Sequence, residues 1–205
     1  MLTGLGFGYN EEQGAYLRLH WVPFIQETLG QNSLTAGDEL AVLDTTLGLG
    51  GKEDDFFLDR LDVIRVRKIK TSTFAIEDES PWSWQLRTGL AQDDAEKYDA
   101  LFAFGIGKAW TISPQLTAYL MTDAAAHSIE PYLRLQPHAA LLVGTGKLKG
   151  RLLAGMETSD YQGDTEPFLD AELQWSLSKQ VSLFAGLEQR ESEESNLSLE
   201  LKWYW

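Results

Sequence analysis

The sequence predicts an all-β chain: a single closed antiparallel up-and-down β-barrel of about twelve strands, with one short helix near 23–30. Three observations carry that prediction. Leu197, Leu199, Leu201, Trp203 and Trp205 alternate with Ser198, Glu200, Lys202 and Tyr204 at the end of the chain, and strand side chains point to opposite faces with period two. Turn-forming and charged clusters break the chain at intervals of roughly 8–16 residues, a spacing that suits a barrel or a sandwich. No apolar run approaches the ~18 residues that a spanning helix needs, whereas a barrel strand spends half its residues on its lumen face. No linker, internal repeat or low-complexity tract divides the 205 residues, so a single domain covering 1–205 is expected.

The elements follow in chain order. Strand 2–9 alternates Gly4, Gly6 and Gly8 with apolar residues, the glycines falling where a curved sheet brings backbones close. Strand 14–22 sets Ala15, Leu17, Leu19 and Trp21 against Tyr16, Arg18 and His20. Pro23 to Gly30 opens on proline and closes on glycine, which suits one or two helical turns. Strands 38–48, 56–67 and 82–91 carry Asp44, Arg60, Asp62 and Arg87 on polar faces, and residues 68–81 form a second long connection. Strand 99–110 is blurred, with Phe102, Phe104 and Ile106 opposite Leu101, Ala103, Gly105 and Gly107. Strands 115–125, 131–143 and 147–157 place Asp123 and Arg151 on polar faces. Strand 167–177 sets Leu169, Ala171, Leu173, Trp175 and Leu177 against Asp170, Glu172, Gln174 and Ser176; strands 180–189 and 197–205, with Glu188 and Glu200, complete the set.

Charge sorts with the connections. Odd-numbered ones hold Glu11, Glu12, Glu53, Asp54, Asp55, Asp93, Asp94, Glu96, Asp160, Asp164, Glu166, Glu191, Glu193 and Glu194, offset by Lys52, Lys97 and Arg190. Several even ones, such as 111–114, 144–147 and 178–180, are neutral or basic. In a meander, odd and even connections lie at opposite ends, so the acidity is expected as a rim at one end, with the chain termini at the other.

An apolar face opposite a charged one has two readings. In a soluble barrel the apolar face points inward; in a transmembrane barrel the polarity is reversed. Twelve strands enclose more than side chains fill, which favours a hydrated, charged lumen. Trp21, Trp82, Trp84, Trp110, Trp175, Trp203 and Trp205 fall near strand ends, as an interfacial girdle requires. The rival expectation is a soluble periplasmic barrel that binds an apolar ligand or partner.

Composition excludes several chemistries. Net charge is -14, so no basic surface exists to neutralise nucleic-acid phosphates. Without cysteine there is no disulfide, thiol nucleophile or thiolate metal site. His127-Ser128 with Glu130 is the nearest approach to a hydrolytic site, and one turn does not build a triad unaided. His20 and His138 lie on predicted strands, where a lumen hydrogen bond accounts for them. Residues 160–166 and 52–55 supply hard oxygen ligands without EF-hand spacing. No catalytic, cofactor or metal residue is therefore assigned; a lipid hydrolase is the enzymatic alternative. Arg65, Arg67, Lys68 and Lys70 form a basic cluster expected either at anionic head groups or paired with Glu77, Asp78 and Glu79.

Beyond pattern, His20-Trp-Val-Pro23, Glu39-Leu-Ala-Val-Leu-Asp-Thr-Thr-Leu47, Leu58-Asp-Arg-Leu-Asp-Val-Ile-Arg-Val66, Ser80-Pro-Trp-Ser-Trp84 and Gly105-Ile-Gly-Lys-Ala-Trp110 occur in an order that resembles the C-terminal domain of Lnb-type periplasmic-domain envelope proteins of Gram-negative bacteria. These segments cover most of the chain and are structural, not catalytic. The resemblance implies a barrel-like envelope domain of uncharacterised role, with a peptidase-like domain upstream. Met1 to Tyr9 lacks the basic and apolar regions of a signal peptide, which fits the C-terminal part of a longer protein. The expected partners are outer-membrane lipid and that upstream periplasmic domain, with no cofactor and no nucleic acid.

Overall fold

The computed structural model describes all residues except 11–12, 28, 30–36, 53–55, 74–80, 95–96, 131, 159–164 and 191–194; for 73, 91–94 and 97 only the backbone is described. Twelve long strands close into an antiparallel barrel: β1 (Leu2–Asn10), β2 (Gly14–Val22), β4 (Glu39–Gly50), β5 (Phe56–Lys68), β7 (Ser83–Asp94), β8 (Lys97–Ser113), β9 (Leu116–His127), β10 (Leu133–Thr145), β11 (Leu148–Thr158), β12 (Thr165–Ser176), β13 (Val181–Arg190) and β14 (Asn196–Tyr204). Each pairs with its neighbours in sequence, and β14 pairs with β1, Leu2 opposite Tyr204. Closure leaves no long edge strand, which lipid would not tolerate. Both chain ends lie at one rim, the terminal rim, where Trp205 N donates to Met1 O at 3.0 Å.

Two short strands complete the sheet. β3 (Phe24–Gln26) pairs with β4, and β6 (Thr71–Thr73) pairs in parallel with β8. The helix expected near 23–30 is replaced by β3, and no helix occurs among the described residues. The reason is an exposed ladder. β4 runs past the last pair with β2, Trp21↔Thr45, and Phe24↔Val42 resumes the same register. Pro23 has no N–H to donate, so it interrupts the strand without ending it. Opposite that interruption Leu43 takes a positive φ of 56°.

Three irregularities therefore fall on two adjacent strands. Besides Leu43, β5 shifts register against β4 at Thr46/Leu47 and against β7 at Asp62/Ile64. An extra residue in one strand turns the following side chains to the other face. Ala41 and Asp44 consequently both point inward, and so do the neighbours Asp59 and Arg60.

The outside is apolar and the inside charged. Leu5, Phe7, Leu19, Leu49, Phe102 and Leu173 are exposed, whereas Arg18, His20, Asp44, Asp62, Asp123 and Glu200 are buried. This is the polarity of a bilayer-spanning barrel, and it overturns the soluble alternative with an apolar face turned inward. On β8 the outward side chains run Tyr98, Ala100, Phe102, Phe104, Ile106 and Lys108. Ten residues at ~3.3 Å rise and ~40° tilt cover ~25 Å, the height of the apolar band of such barrels. Trp21, Trp82, Trp84, Trp110, Trp175, Trp203 and Trp205 all lie at the terminal rim; Tyr9, Phe56, Tyr98 and Tyr132 mark the distal one.

The distal rim is where the acid-rich connections join the strands. The side chains of Glu12, Asp54, Asp94, Asp164 and Glu193, and of most other acids in that set, lie outside the described residues. The topology places the odd connections at one end and the chain termini at the other, as a meander requires.

Candidate functional site

The lumen is the candidate site. It encloses about 740 Å³, lined from Asn10 and Asn196 at the distal rim to Glu27 and Leu29 toward the terminal one. Its two sides differ. Across β8–β12 the inward residues Ala109, Tyr119, Met121, Ala140, Leu142, Leu153 and Phe168 form an apolar cluster with Ile69. Across β2, β4, β5, β7, β13 and β14 the lumen is a continuous ion-pair network.

Arg65 is the hub of that network. Its guanidinium reaches Glu39 Oε1 at 2.6 Å, Asp44 Oδ2 at 2.7 Å and Asp62 Oδ2 at 2.5 Å. Glu39 and Asp44 are an odd number of residues apart and would face opposite sides of a regular strand. The irregularity at Leu43 brings both to one cation. Arg87 Nε donates to Asp62 Oδ1 at 2.7 Å, and Arg67 Nε to Gln85 Oε1 at 2.8 Å. Arg18 joins Asp59 at 3.1 Å to Glu200 at 3.5 Å.

His20 links the two halves. Its Nε2 lies 2.7 Å from Asp44 Oδ1 and its Nδ1 3.1 Å from Glu200 Oε2. An imidazole donates from both nitrogens only as the cation. Among the described residues these ion pairs connect the cations Arg18, His20, Arg60, Arg65, Arg67 and Arg87 with the anions Glu39, Asp44, Asp59, Asp62, Glu188 and Glu200, and these charges balance with His20 protonated.

A second cluster occupies the distal end. Glu157 accepts from Arg134 Nη1 at 3.1 Å, Gln136 Nε2 at 2.5 Å and Arg190 Nη1 at 2.9 Å. Near it, His127 Nδ1 faces Asp99 Oδ2. Ser128 donates to Asp99 Oδ1 through its N–H at 2.9 Å and its hydroxyl at 3.1 Å, and that hydroxyl accepts from Ala100 N at 2.8 Å. Asp99 thus orients the histidine as a triad acid would, but the serine proton goes to Asp99 and not to His127. No nucleophile–base pair results.

Toward the terminal rim, the two long connections enter the lumen. Glu27 accepts from Lys202 Nζ at 2.9 Å and Tyr204 Oη at 2.5 Å, and Leu29 is buried. Asp38 accepts from Ile69 N at 3.0 Å and from Lys68 Nζ. A Cβ on Gly37 would lie 2.6 Å from Ile69 Cγ1 and 2.9 Å from Leu142 Cδ1, so this backbone presses directly onto the apolar cluster.

The strand residues expected to be polar-facing, Asp44, Arg60, Asp62, Arg87, Asp123, Arg151, Asp170, Glu188 and Glu200, all face the lumen. Of the expected basic cluster, Arg65 and Arg67 point inward to Glu39, Asp44 and Asp62, not to head groups. Glu77, Asp78 and Glu79 lie outside the described residues, as do the acids at 53–55 and 160–164. Among the described residues no three His, Asp or Glu side chains are grouped to hold a metal. Glu27, Asp38, Asp59 and Asp99 were not singled out by sequence. Three of them lie beside a break or a strand end, where alternation carries no information.

Comparison with known proteins agrees with the architecture. Residues 1–205 match a family described as a domain of unknown function, DUF7840. No curated protein matches. Among solved structures, KdgM porin in complex with disordered oligogalacturonate aligns at a TM-score of 0.57 with 6% identity, over 100% of this chain and 99% of that one. NanC porin aligns at 0.58 with 7% identity, over 99% and 100%. LpxR from Salmonella typhimurium aligns at 0.51 with 12% identity, over 100% of both chains. At these identities the likeness is one of fold.

Proposed function

Because the chain belongs to the DUF7840 family, a domain of unknown function, membership fixes no activity, and we propose that it is a non-enzymatic, non-conducting outer-membrane barrel that holds a periplasmic domain at the membrane. The cross-tied ion-pair network of the lumen carries this reading. A conducting barrel needs mobile water along its axis and charges free to meet the solute. Here the cations at the centre of the network already hold carboxylates, and Glu27, Asp38 and Ile69 occupy the terminal end. The resemblance to Lnb-type proteins supplies the periplasmic domain, carried on the same protein. KdgM porin is seen in complex with disordered oligogalacturonate; here Arg65, Arg67 and Arg87 already hold Glu39, Asp44, Asp62 and Gln85, which disfavours binding of such an anionic chain.

Planar-bilayer recording of the purified chain tests the proposal. No stable conductance steps are expected. An ohmic conductance of open-porin size would refute it. In parallel, phospholipid, acyl-ester and peptide hydrolysis should stay at background, and turnover abolished by His127→Ala would establish catalysis instead.

A further inference from the structure

We infer that the distal half of the β10–β11 seam is a lateral entry site for a single-chain lipid, whose acyl chain passes between the two strands to the lumen face of Phe168. The inference rests on the outer-membrane reading above and adds a ligand and its route. The β10–β11 ladder runs from Thr145↔Leu148 to His138↔Gly155 and stops there. Both strands continue: Leu133 to Pro137 stay paired with β9, and Met156 to Thr158 with β12. The Leu135 N–H points across the seam, because it donates to Thr158 Oγ1 at 2.9 Å. Backbone donors alternate sides along a strand, so residue 137 would donate in the same direction. Proline has no N–H to give, and the ladder fails at that position.

Side chains hold the seam shut in place of backbone. Besides Thr158, Glu157 accepts from Arg134 Nη1 at 3.1 Å and from Gln136 Nε2 at 2.5 Å on the lumen side. Parting the strands there breaks these bonds and leaves the remaining ladder intact. On the outside, Leu135, Pro137, Met156 and Pro167 are exposed to hydrocarbon. Five residues at ~2.5 Å of axial rise carry the seam from Tyr132 at the distal rim to about the middle of the ~25 Å band that β8 spans between Tyr98 and Lys108. On the inside, Gly155 presents no side chain: a Cβ there would lie 2.7 Å from Phe168 Cζ and 2.7 Å from His138 Cβ. The Phe168 ring therefore covers the end of the ladder, backed by buried Leu153 and Met121. Arg190 lies 5.1 Å from the centroid of that ring. The seam thus joins the bilayer to an apolar inner surface bordered by Arg134, Gln136, Glu157 and Arg190. The bilayer supplies what meets it from outside, the apolar surface takes a chain, and the polar border takes a head group. Two strands parted over a few residues leave a slot one chain wide.

The probe is a lysophosphatidylcholine with a photoreactive diazirine on its acyl chain, added to the full chain reconstituted in phosphatidylcholine vesicles. Labelled residues are mapped by mass spectrometry. Labelling at Leu173 reports an outer wall embedded in lipid, and labelling at Leu153 and Phe168 reports passage to the inside; both are expected of the unaltered protein. The chain has no cysteine, so Leu135→Cys combined with Thr158→Cys sets one pair of thiols across the seam. Forming that disulfide should abolish labelling at Leu153 and Phe168 and leave Leu173 labelled, and reduction should restore the inner labelling. Pro137→Val, which returns the missing N–H to β10, should lower the inner labelling without any disulfide. Inner labelling that survives the disulfide, or that is absent from the unaltered protein, overturns this inference alone while Leu173 is labelled. A Leu173 that takes no label overturns the outer-membrane reading with it.

Discussion

An arginine placed at successive depths on the outer wall should destabilise the barrel by an amount set by its distance from the band edges. Phe104, 46% exposed, lies four residues from Lys108 on β8. At ~2.5 Å of axial rise per residue, from ~3.3 Å along a strand tilted by ~40°, it is ~10 Å inside the boundary and close to the midplane of a ~25 Å band. Leu173, 48% exposed, lies two residues from Trp175 on β12 and hence only ~5 Å inside. Leu177, beyond Trp175, is at the interface. Phe104→Arg should cost about 2–4 kcal/mol, Leu177→Arg about 0–1, and Leu173→Arg should fall between them. Equilibrium urea unfolding of the protein in lipid vesicles measures all three. Equal costs at the three positions, or a negligible cost at Phe104, would refute the placement of the outer wall in lipid.

Two further outcomes follow from packing and charge. Arg65→Gln leaves Glu39, Asp44 and Asp62 without their shared cation and should destabilise by roughly 3–5 kcal/mol in the same unfolding assay, as expected when one partner of a buried pair is removed. Gly107→Ala would put a Cβ 2.0 Å from the Leu120 carbonyl oxygen, a backbone atom that cannot rotate away, and should cost about 1–3 kcal/mol. Gly144→Ala, whose nearest neighbour would be Lys149 Cγ at 3.9 Å, should be close to neutral and serves as the comparison.

The barrel was legible because one face of most strands is apolar and period two is hard to mistake. The twelve long strands fall within a few residues of the sequence-based boundaries, and β14 shows the same alternation that announces it. The lumen was legible wherever a strand is regular, as at His20, Asp123, Asp170 and Glu200. It was illegible where the period breaks. Proline followed by a glycine-terminated segment is compatible with a helical turn, and only the unpaired edge of β4 decides for β3. Arg65 and Arg67 read as an exposed basic patch because the register shift at Asp62/Ile64 cannot be seen in the sequence. The Asp99–His127 contact joins residues brought together only by the β8–β9 pairing, Leu101 opposite His127.

The breaks in period also explain how this chain knows its inside from its outside. Strands β8–β12 carry apolar residues on both faces over much of their length: Phe102, Leu120 and Leu141 outward, with Met121, Leu142 and Leu153 inward. For such strands alone, lipid and lumen compete for the same side chains, and a one-residue slip reverses the faces at small cost. The paired charges of β2, β4, β5 and β14 remove that ambiguity, because turning Asp44, Asp62 or Arg65 toward hydrocarbon would expose an uncompensated ion. Buried ion pairs contribute little net stability against a well-packed apolar alternative. Here the alternative has the wrong shape for the solvent: an apolar lumen would make the two faces interchangeable. Three local irregularities, at Leu43, Asp59 and Val63, concentrate enough inward charge on two adjacent strands to set the sidedness of the whole sheet.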